Sequence, residues 1–235
     1  MAMIDKIINE EITKYRRGIT EAIGPDFSFK ELMSINYFDE IYNYCVKHLG
    51  EPIGKGSSRA VFQINDRLVL KVAMSQRGIA QNKAEFSNDD TKYKILPSIH
   101  GHDSDFVWIV SDYVVPLADT SNGIHAMYRQ ANEAMMELVG ETWSTFCTFV
   151  NTAIMTYIPT LSAKTMDERS FLNLVEGNWF FGEVYKFMSE TKLCTFDIKS
   201  VENWGISMRE GKPIPVFLDS GFTDEVYKAH YRRND

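Results

Sequence analysis

The segment Gly54-Lys55-Gly56-Ser57-Ser58-Arg59-Ala60-Val61 sets two glycines one residue apart beside a hairpin pattern, where backbone amides can approach phosphate oxygens with no Cβ in the way. A glycine pair in such a place also reads as a turn and nothing more. Lys71 raises the phosphate reading, because it lies in the apolar run Leu68-Val69-Leu70-Lys71-Val72-Ala73, where an ammonium is costly to bury without a partner. On an edge strand the same lysine would point to water. A carboxylate in the helix that follows would orient it. Glu85 is the best placed, ahead of Asp89 and Asp90, and its other reading is a solvated helix residue.

Together these residues resemble protein kinases. Gly54 to Val61 is similar to the G-x-G-x-x-G-x-V loop of that family, in which the valine lies over the adenine, and Val69-Leu70-Lys71-Val72-Ala73 is similar to its V-A-I-K strand. Arg59 stands where the third glycine would be. Further along, Phe196-Asp197-Ile198-Lys199-Ser200-Val201-Glu202-Asn203 resembles the catalytic loop of serine/threonine kinases, usually H-R-D-L-K-x-x-N. The resemblance implies that Asp197 orients a substrate hydroxyl and accepts its proton, and that Lys199 neutralises charge on the transferring phosphoryl group. It also implies that Asn203 is a magnesium ligand. Asp219-Ser220-Gly221 occupies the place of D-F-G, so Asp219 would hold magnesium against the β- and γ-phosphates while Gly221 lets the chain turn away. Thr195-Phe196 replaces the usual His-Arg, which implies that no activation-loop phosphate is read there, and one extra residue separates Asp197 from Asn203.

The resemblance covers residues 53–222, and nearest in layout are the small serine/threonine kinases of tailed bacteriophages. It implies an α+β, minimal bilobal protein-kinase-like fold: a helical extension over 1–50, an antiparallel N-lobe over 51–117 and a reduced helical C-lobe over 118–235. ATP and Mg2+ would bind between the lobes. The activity implied is γ-phosphate transfer to Ser or Thr of a partner protein or of the chain itself, with a host protein as target, in the host cytoplasm, if the phage likeness holds. The alternative is a pseudokinase that binds a nucleotide or a partner, motivated by Arg59, the altered catalytic loop and the short stretch 222–235. A small-molecule phosphotransferase ranks third. Aminoglycoside and choline-type kinases share the core, but Lys199 sides with protein kinases.

These residues need elements to hold them. Ile4, Ile7, Ile8, Ile12, Tyr15, Ile19 and Ile23 recur at spacings of three and four, which predicts an amphipathic helix over 3–22 that Gly24-Pro25-Asp26 ends. A second helix is expected over 29–49, with Leu32, Ile35, Phe38, Ile41, Tyr42 and Cys45 on one side and Gly50 as its cap. The β-rich runs 59–64 and 67–73 meet at Asn65-Asp66, a hairpin signature. Residues 78–96 read as helix and 106–117 as a buried strand running into an extended connection. Helix is expected again over 124–155, with Met127, Ala131, Met135, Leu138 and Trp143 in the core, and over 172–189. Two short strands, 203–207 and 214–219, flank the turn-forming Arg209-Glu210-Gly211-Lys212-Pro213.

At 235 residues, 44% hydrophobic and 13% aromatic, the chain can bury a sizeable core. Its net charge of −7 argues against a phosphate-backbone binder, so nucleic acid is not an expected partner. Cys45, Cys147 and Cys194 are odd in number and lack metal-ligand spacing, which reads as free thiols packed in the core in a reducing cytosol. Acidic residues enter the first turns of the N-terminus, unlike a signal peptide, and no apolar run approaches the roughly 18 residues of a membrane helix. A cytoplasmic protein without a membrane partner is expected. His100 and His102 read as a solvent-facing loop rather than a metal site. Met127, Met135, Met136, Trp143, Trp179 and Trp204 read as core.

Overall fold

Residues 59–63 alternate in burial because they form a strand with one face on the core, whereas 68–73 are buried throughout because they form the central strand of the sheet. The computed structural model describes residues 27–119, 121, 123–155, 164–191, 197–209 and 211–231. The helix expected over 3–22, Cys194 and the Thr195-Phe196 pair lie outside them. The chain divides into two units, one built from residues up to Phe86 with Ser98–Tyr113, the other from Ser87–Pro97 with Val114 onward.

In the first unit the helix expected over 29–49 is two, α1 (Phe29–Leu32) and α2 (Phe38–Leu49). The break has a local cause. The Ser34 hydroxyl and amide both donate to the Glu31 carbonyl, at 2.7 and 2.9 Å, and close a turn where the helix would have continued. Acidic Asp39 and Glu40 open α2, Lys47 and His48 close it, and Gly50 ends it at φ 86° with its N–H on the Val46 carbonyl. The strands β1 (Gly54–Lys55), β2 (Arg59–Gln63) and β3 (Leu68–Ala73) follow, then helix α3 (Gln76–Ser87) and strands β4 (Ile99–His102) and β5 (Trp108–Asp112). The β2–β3 hairpin is the expected one. Asn65 Oδ1 accepts from the amides of Arg67 and Leu68, at 2.8 and 2.9 Å, and fixes its turn.

The sheet is antiparallel in the order β1-β2-β3-β5-β4, which puts β3 at its centre. Register sets Phe62, Leu70 and Val110 side by side, and likewise Ala60, Val72 and Trp108. This face closes against Leu32, Ile41 and Cys45 of α1 and α2. Each fully buried large side chain there stabilises by about 1.5–3 kcal/mol. The opposite face aligns Val61, Lys71 and Ile109 and carries Arg59, and it is this face that positions charge.

Two expectations fail here. Helix α3 stops at Ser87 rather than 96, because the Asp89 side chain accepts from the Thr91 amide at 3.0 Å and turns the chain. Residues 99–102 are a strand, not a loop. His100 Nε2 lies 2.6 Å from Asp112 Oδ1, and His102 stacks on Phe106 with centroids 4.6 Å apart.

The second unit holds β6 (Val115–Pro116), helices α4 (Ile124–Val139), α5 (Trp143–Met155), α6 (Glu168–Gly177) and α7 (Trp179–Thr191), strands β7 (Trp204–Arg209) and β8 (Lys212–Phe217), and helix α8 (Asp224–His230). The three strands form an antiparallel sheet in the order β6-β7-β8. A Cβ at Gly205 would stand 2.5 Å from the Val115 carbonyl oxygen, so only glycine lets β6 lie this close to β7. Both long helices expected from periodicity are broken pairs. Gly140, at φ 78°, ends α4. Asn178 separates α6 from α7: its Nδ2 donates to the Val139 carbonyl at 2.8 Å and its Oδ1 accepts from the Phe180 amide at 3.1 Å.

The core of this unit is aromatic. Trp204 lies 5.2 Å from Phe146, 5.3 Å from Phe217 and 5.5 Å from Phe180, centroid to centroid. Met127, Met135 and Trp143 are buried as expected, whereas Met136 (49% exposed) and Trp179 (45%) face outward. Residues 87–97 join this core through Tyr93, Ile95 and Leu96. They are fastened by the Phe217 amide on the Ile95 carbonyl, 2.7 Å, and by Arg209, which donates to the carbonyls of Lys94 and Leu96. No helix among the described residues is long and apolar enough to cross a membrane.

Candidate functional site

The first unit builds a buried ionic cluster. Lys71 is 6% exposed, and its Nζ donates to Glu85 Oε2 at 2.6 Å. Glu85 itself is 2% exposed, and its other oxygen faces Arg59, with Nη1 at 2.7 Å from Oε1. That second contact is an ion pair by distance without hydrogen-bond alignment. The same Nη1 donates to Asn82 Oδ1 at 3.3 Å. Burial alone would push the Glu85 carboxyl up, but Arg59 and then Lys71 hold it below the ordinary carboxylate range. Asp89 and Asp90 have other work in the second unit, Asp89 closing its own turn and Asp90 lying 3.9 Å from Arg209.

The glycine segment is the β1–β2 hairpin, closed by the Gly56 amide on the Arg59 carbonyl at 2.9 Å. A Cβ at Gly54 or Gly56 would come no closer than 3.8 Å to any atom outside its own chain neighbours, and neither glycine has positive φ. Nothing in the chain itself therefore demands glycine at these two positions. The turn between them and β2 is anchored instead at its far end. Ser58 Oγ donates to Gln81 Oε1 at 2.6 Å, and the Ser58 carbonyl accepts from the Met74 amide at 2.8 Å. Val61 stands opposite Lys71 in the sheet.

The second unit gathers the remaining residues. Two consecutive 3-10 turns, Asp197–Lys199 and Val201–Asn203, take up the extra residue of the loop, with Ser200 N on the Asp197 carbonyl and Asn203 N on the Ser200 carbonyl, both at 3.1 Å. Asn203 Nδ2 then reaches back to the Asp197 carbonyl at 3.0 Å. Trp204 Nε1 donates to the Ile198 carbonyl at 2.8 Å, so the aromatic core fixes the turn that carries Asp197 and Lys199. Asp219 follows β8, and the Leu218 amide beside it donates to the Asn203 carbonyl at 2.8 Å. Burial pushes the Asp197 carboxyl above its ordinary value, and the charge of Asp219 adds to the rise. Lys199 Nζ donates to Asn151 Oδ1, 2.8 Å away on α5.

The structure thus brings Lys71 together with Glu85 in one unit, and Asp197, Asn203 and Asp219 together in the other. Asn203 Oδ1 and the Asp219 carboxylate are hard oxygen donors of the kind magnesium takes, one or two from the protein with phosphate and water completing the shell. Among the described residues no group of three His, Cys, Asp or Glu could hold a metal by itself. The donor set fits such a shared ion. Sequence reasoning missed Arg59 as a partner of Glu85, although strict alternation with Ala60, Phe62 and Ile64 puts it on the face of Lys71. It also missed Gln81 and Asn82, which lie on the polar buried face of α3 with Glu85, and Asn151, whose only signal is a polar residue in an otherwise apolar helix.

No protein-family model and no curated protein matches the sequence. Among solved structures the chain is similar to the streptomycin–ATP ternary complex of APH(2'')-IIa, 12% identical over 80% of this chain and 72% of that one, with a TM-score of 0.34. It is similar also to the ADP-bound aminoglycoside phosphotransferase APH(2'')-Ib, 12% identical over 78% and 70%, with a TM-score of 0.32. Likeness this slight does not define an activity, and the chain's own residues carry the functional reading. The fold class expected from the sequence, α+β with an antiparallel first sheet and a largely helical second unit, is the one observed.

Proposed function

We propose that the chain is an ATP- and Mg2+-dependent phosphotransferase of the protein-kinase type, acting on a Ser or Thr hydroxyl of a partner protein, a host protein among them, or of itself. The observation that carries this reading is the acid pair of the second unit. Asn203 Nδ2 donates to the Asp197 carbonyl, and burial, with the charge of Asp219 after it, raises the Asp197 carboxyl, which fits a base beside two cation ligands. The buried Lys71–Glu85 pair supports it, since an oriented lysine is what nucleotide phosphates need.

In this reading Asp197, ionised, accepts the proton of the acceptor hydroxyl as its oxygen bonds to the γ-phosphorus. The bond from phosphorus to the β,γ-bridging oxygen breaks, and ADP leaves with the electron pair. The Lys199 ammonium offsets charge on the transferred group, and Lys71 neutralises the phosphates that stay behind. A magnesium ion held by Asn203 and Asp219 supplies further neutralisation when bound. Positioning and charge account for the rate, because phosphoryl transfer asks little covalent chemistry of the protein.

The test is transfer from radiolabelled ATP with wild type and Asp197→Ala, offering cell lysate and, separately, kanamycin. Label on protein that falls about 10²–10⁴-fold in the variant supports the proposal. Label on kanamycin alone moves the acceptor to small molecules. Nucleotide binding with no transfer to either leaves a pseudokinase.

A further inference from the structure

The helices of the second unit leave large apolar side chains in water at one end. Met136 of α4 and Trp179 of α7 are nearly half exposed, and Tyr128, two turns before Met136, is 41% exposed. Two contacts build this end. Asn178 Nδ2 donates to the Val139 carbonyl, which brings the α6–α7 corner onto the last turn of α4. Asn132 Oδ1 accepts from the Ser144 amide at 3.2 Å, which brings the start of α5 to the same helix. Tyr128, Asn132 and Met136 recur at a spacing of four, so they line one side of α4.

The charges around this end have one sign. Residues 130–163 and 170–185 contain no Lys, Arg or His, and every charged side chain in them is a glutamate: Glu133, Glu137, Glu141, Glu176 and Glu183. Glu183 accepts from the Lys94 amide, and Arg129, one turn before Glu133, can offset that residue. Glu137, Glu141 and Glu176 form no ion pair with any described residue. Two of them are placed against local stability. Glu137 lies in the last turn of α4 and Glu176 in the last turn of α6, where the carbonyl ends of the helices are already negative and a lysine or arginine would be favoured. A local rule broken twice at one end marks a surface kept for use rather than for folding.

We propose that this end of the second unit is a docking face for a basic, amphipathic segment of a partner protein, whose apolar residues cover Trp179 and Met136 and whose lysines or arginines meet Glu137, Glu141 and Glu176. Aromatic and methionine side chains supply the buried area of such contacts, and the carboxylate rim sets which partner is taken. The same rim repels a nucleic acid or an anionic membrane surface. None of these side chains belongs to the phosphotransfer site and docking needs no ATP, so the proposal goes beyond the phosphotransferase reading and stands or falls apart from it.

The experiment measures binding of a fluorescein-labelled peptide of alternating Lys-Lys and Leu-Leu pairs, by anisotropy on the full chain without nucleotide. Two control peptides carry glutamate for every lysine, or serine for every leucine. The basic, apolar peptide should bind at least about tenfold tighter than either. Glu137→Lys with Glu176→Lys should weaken it about tenfold at about 0.05 M salt and by less at about 0.5 M, because exposed charge pairs are screened. Trp179→Ala should weaken it about tenfold at both. The introduced lysines complement the helix ends, so the urea midpoint of that variant should equal or exceed the wild-type value, which separates lost binding from lost folding. Should either variant fail to fold, Glu137→Gln with Glu176→Gln, and Met136→Ser, carry the test, with about a threefold loss each.

Equal binding of the basic, apolar peptide by wild type and folded variants overturns the proposal. So does equal binding of the glutamate control, or no binding at all. Equal binding of the serine control reduces the face to charge attraction and overturns the apolar anchor. Transfer of label from ATP keeps its own test in every case.

Discussion

In the phosphotransferase proposed above, Asp197 acts as a base beside a second carboxylate, and that pairing has a measurable cost. Burial first and the charge of Asp219 second favour its protonated form, so the transfer rate should fall on acidification with a midpoint above the usual Asp value of about 3.9. Removing the like charge with Asp219→Asn should lower the Asp197 pKa, followed by carboxyl carbon NMR of the folded variant. A midpoint that does not move would mean that the two acids do not share a field. The glycines allow an equally direct check. Gly56→Ala adds a methyl that meets only the Arg59 carbonyl, at 3.9 Å, so stability should stay within about 0.5 kcal/mol while Mg–ATP binding weakens. Unchanged nucleotide affinity would reduce the segment to an ordinary turn. At this scale the sequence was legible wherever a residue type has few uses. Lys71 in an apolar strand and Glu85 on the next helix could be paired on paper. Arg59 could not, because a motif comparison registers only the glycine it replaces.

Helix α3 is held to the sheet by contacts that no single motif describes. A Cβ at Gly78 would stand 2.9 Å from the Ala73 Cα and press on the Ser58 carbonyl, so Gly78→Ala should cost about 1–3 kcal/mol or more in urea unfolding. Gly56→Ala, in the β1–β2 hairpin, serves as the contrast. Glu85→Gln removes the anion between the buried Lys71 and the partly buried Arg59 and should cost about 3–5 kcal/mol. The pH dependence has a definite sign. The Glu85 carboxyl is held below its unfolded value, so its stabilisation is present above about pH 4.3 and drains away as pH falls through the lower folded value. The Gln variant should lack that slope. Strands and their hairpin were legible because alternation and Asn65-Asp66 agree. Helix interruptions were not. Periodicity runs unbroken through Ser34, Gly140 and Asn178, and each break is made by a hydrogen bond or a left-handed glycine that a face-counting rule does not weigh.

Across the whole molecule the acidic balance has a simple consequence. At net charge −7 the chain should show no salt-dependent retention on duplex DNA at about 0.1 M salt, checked by filter binding. Each unit also owns a core. Leu70→Ala, in the first, should cost about 2–5 kcal/mol, followed by far-UV circular dichroism in urea. Composition made the capacity for such cores legible, but not the assignment of residues 87–97. They read as a continuation of α3, whereas their apolar residues lie in the second unit. The chain passes between units at 86–87, 97–98 and 113–114. That interleaving governs the order in which a nascent chain can finish its parts. The five-stranded sheet can close once β5 has been synthesised, yet Tyr93 must wait for Phe187 and Glu190 of α7, and Ile95 and Leu96 for Phe217 and Arg209, to emerge. During that interval a short apolar stretch lacks its native partners, which leaves it open to non-native contacts.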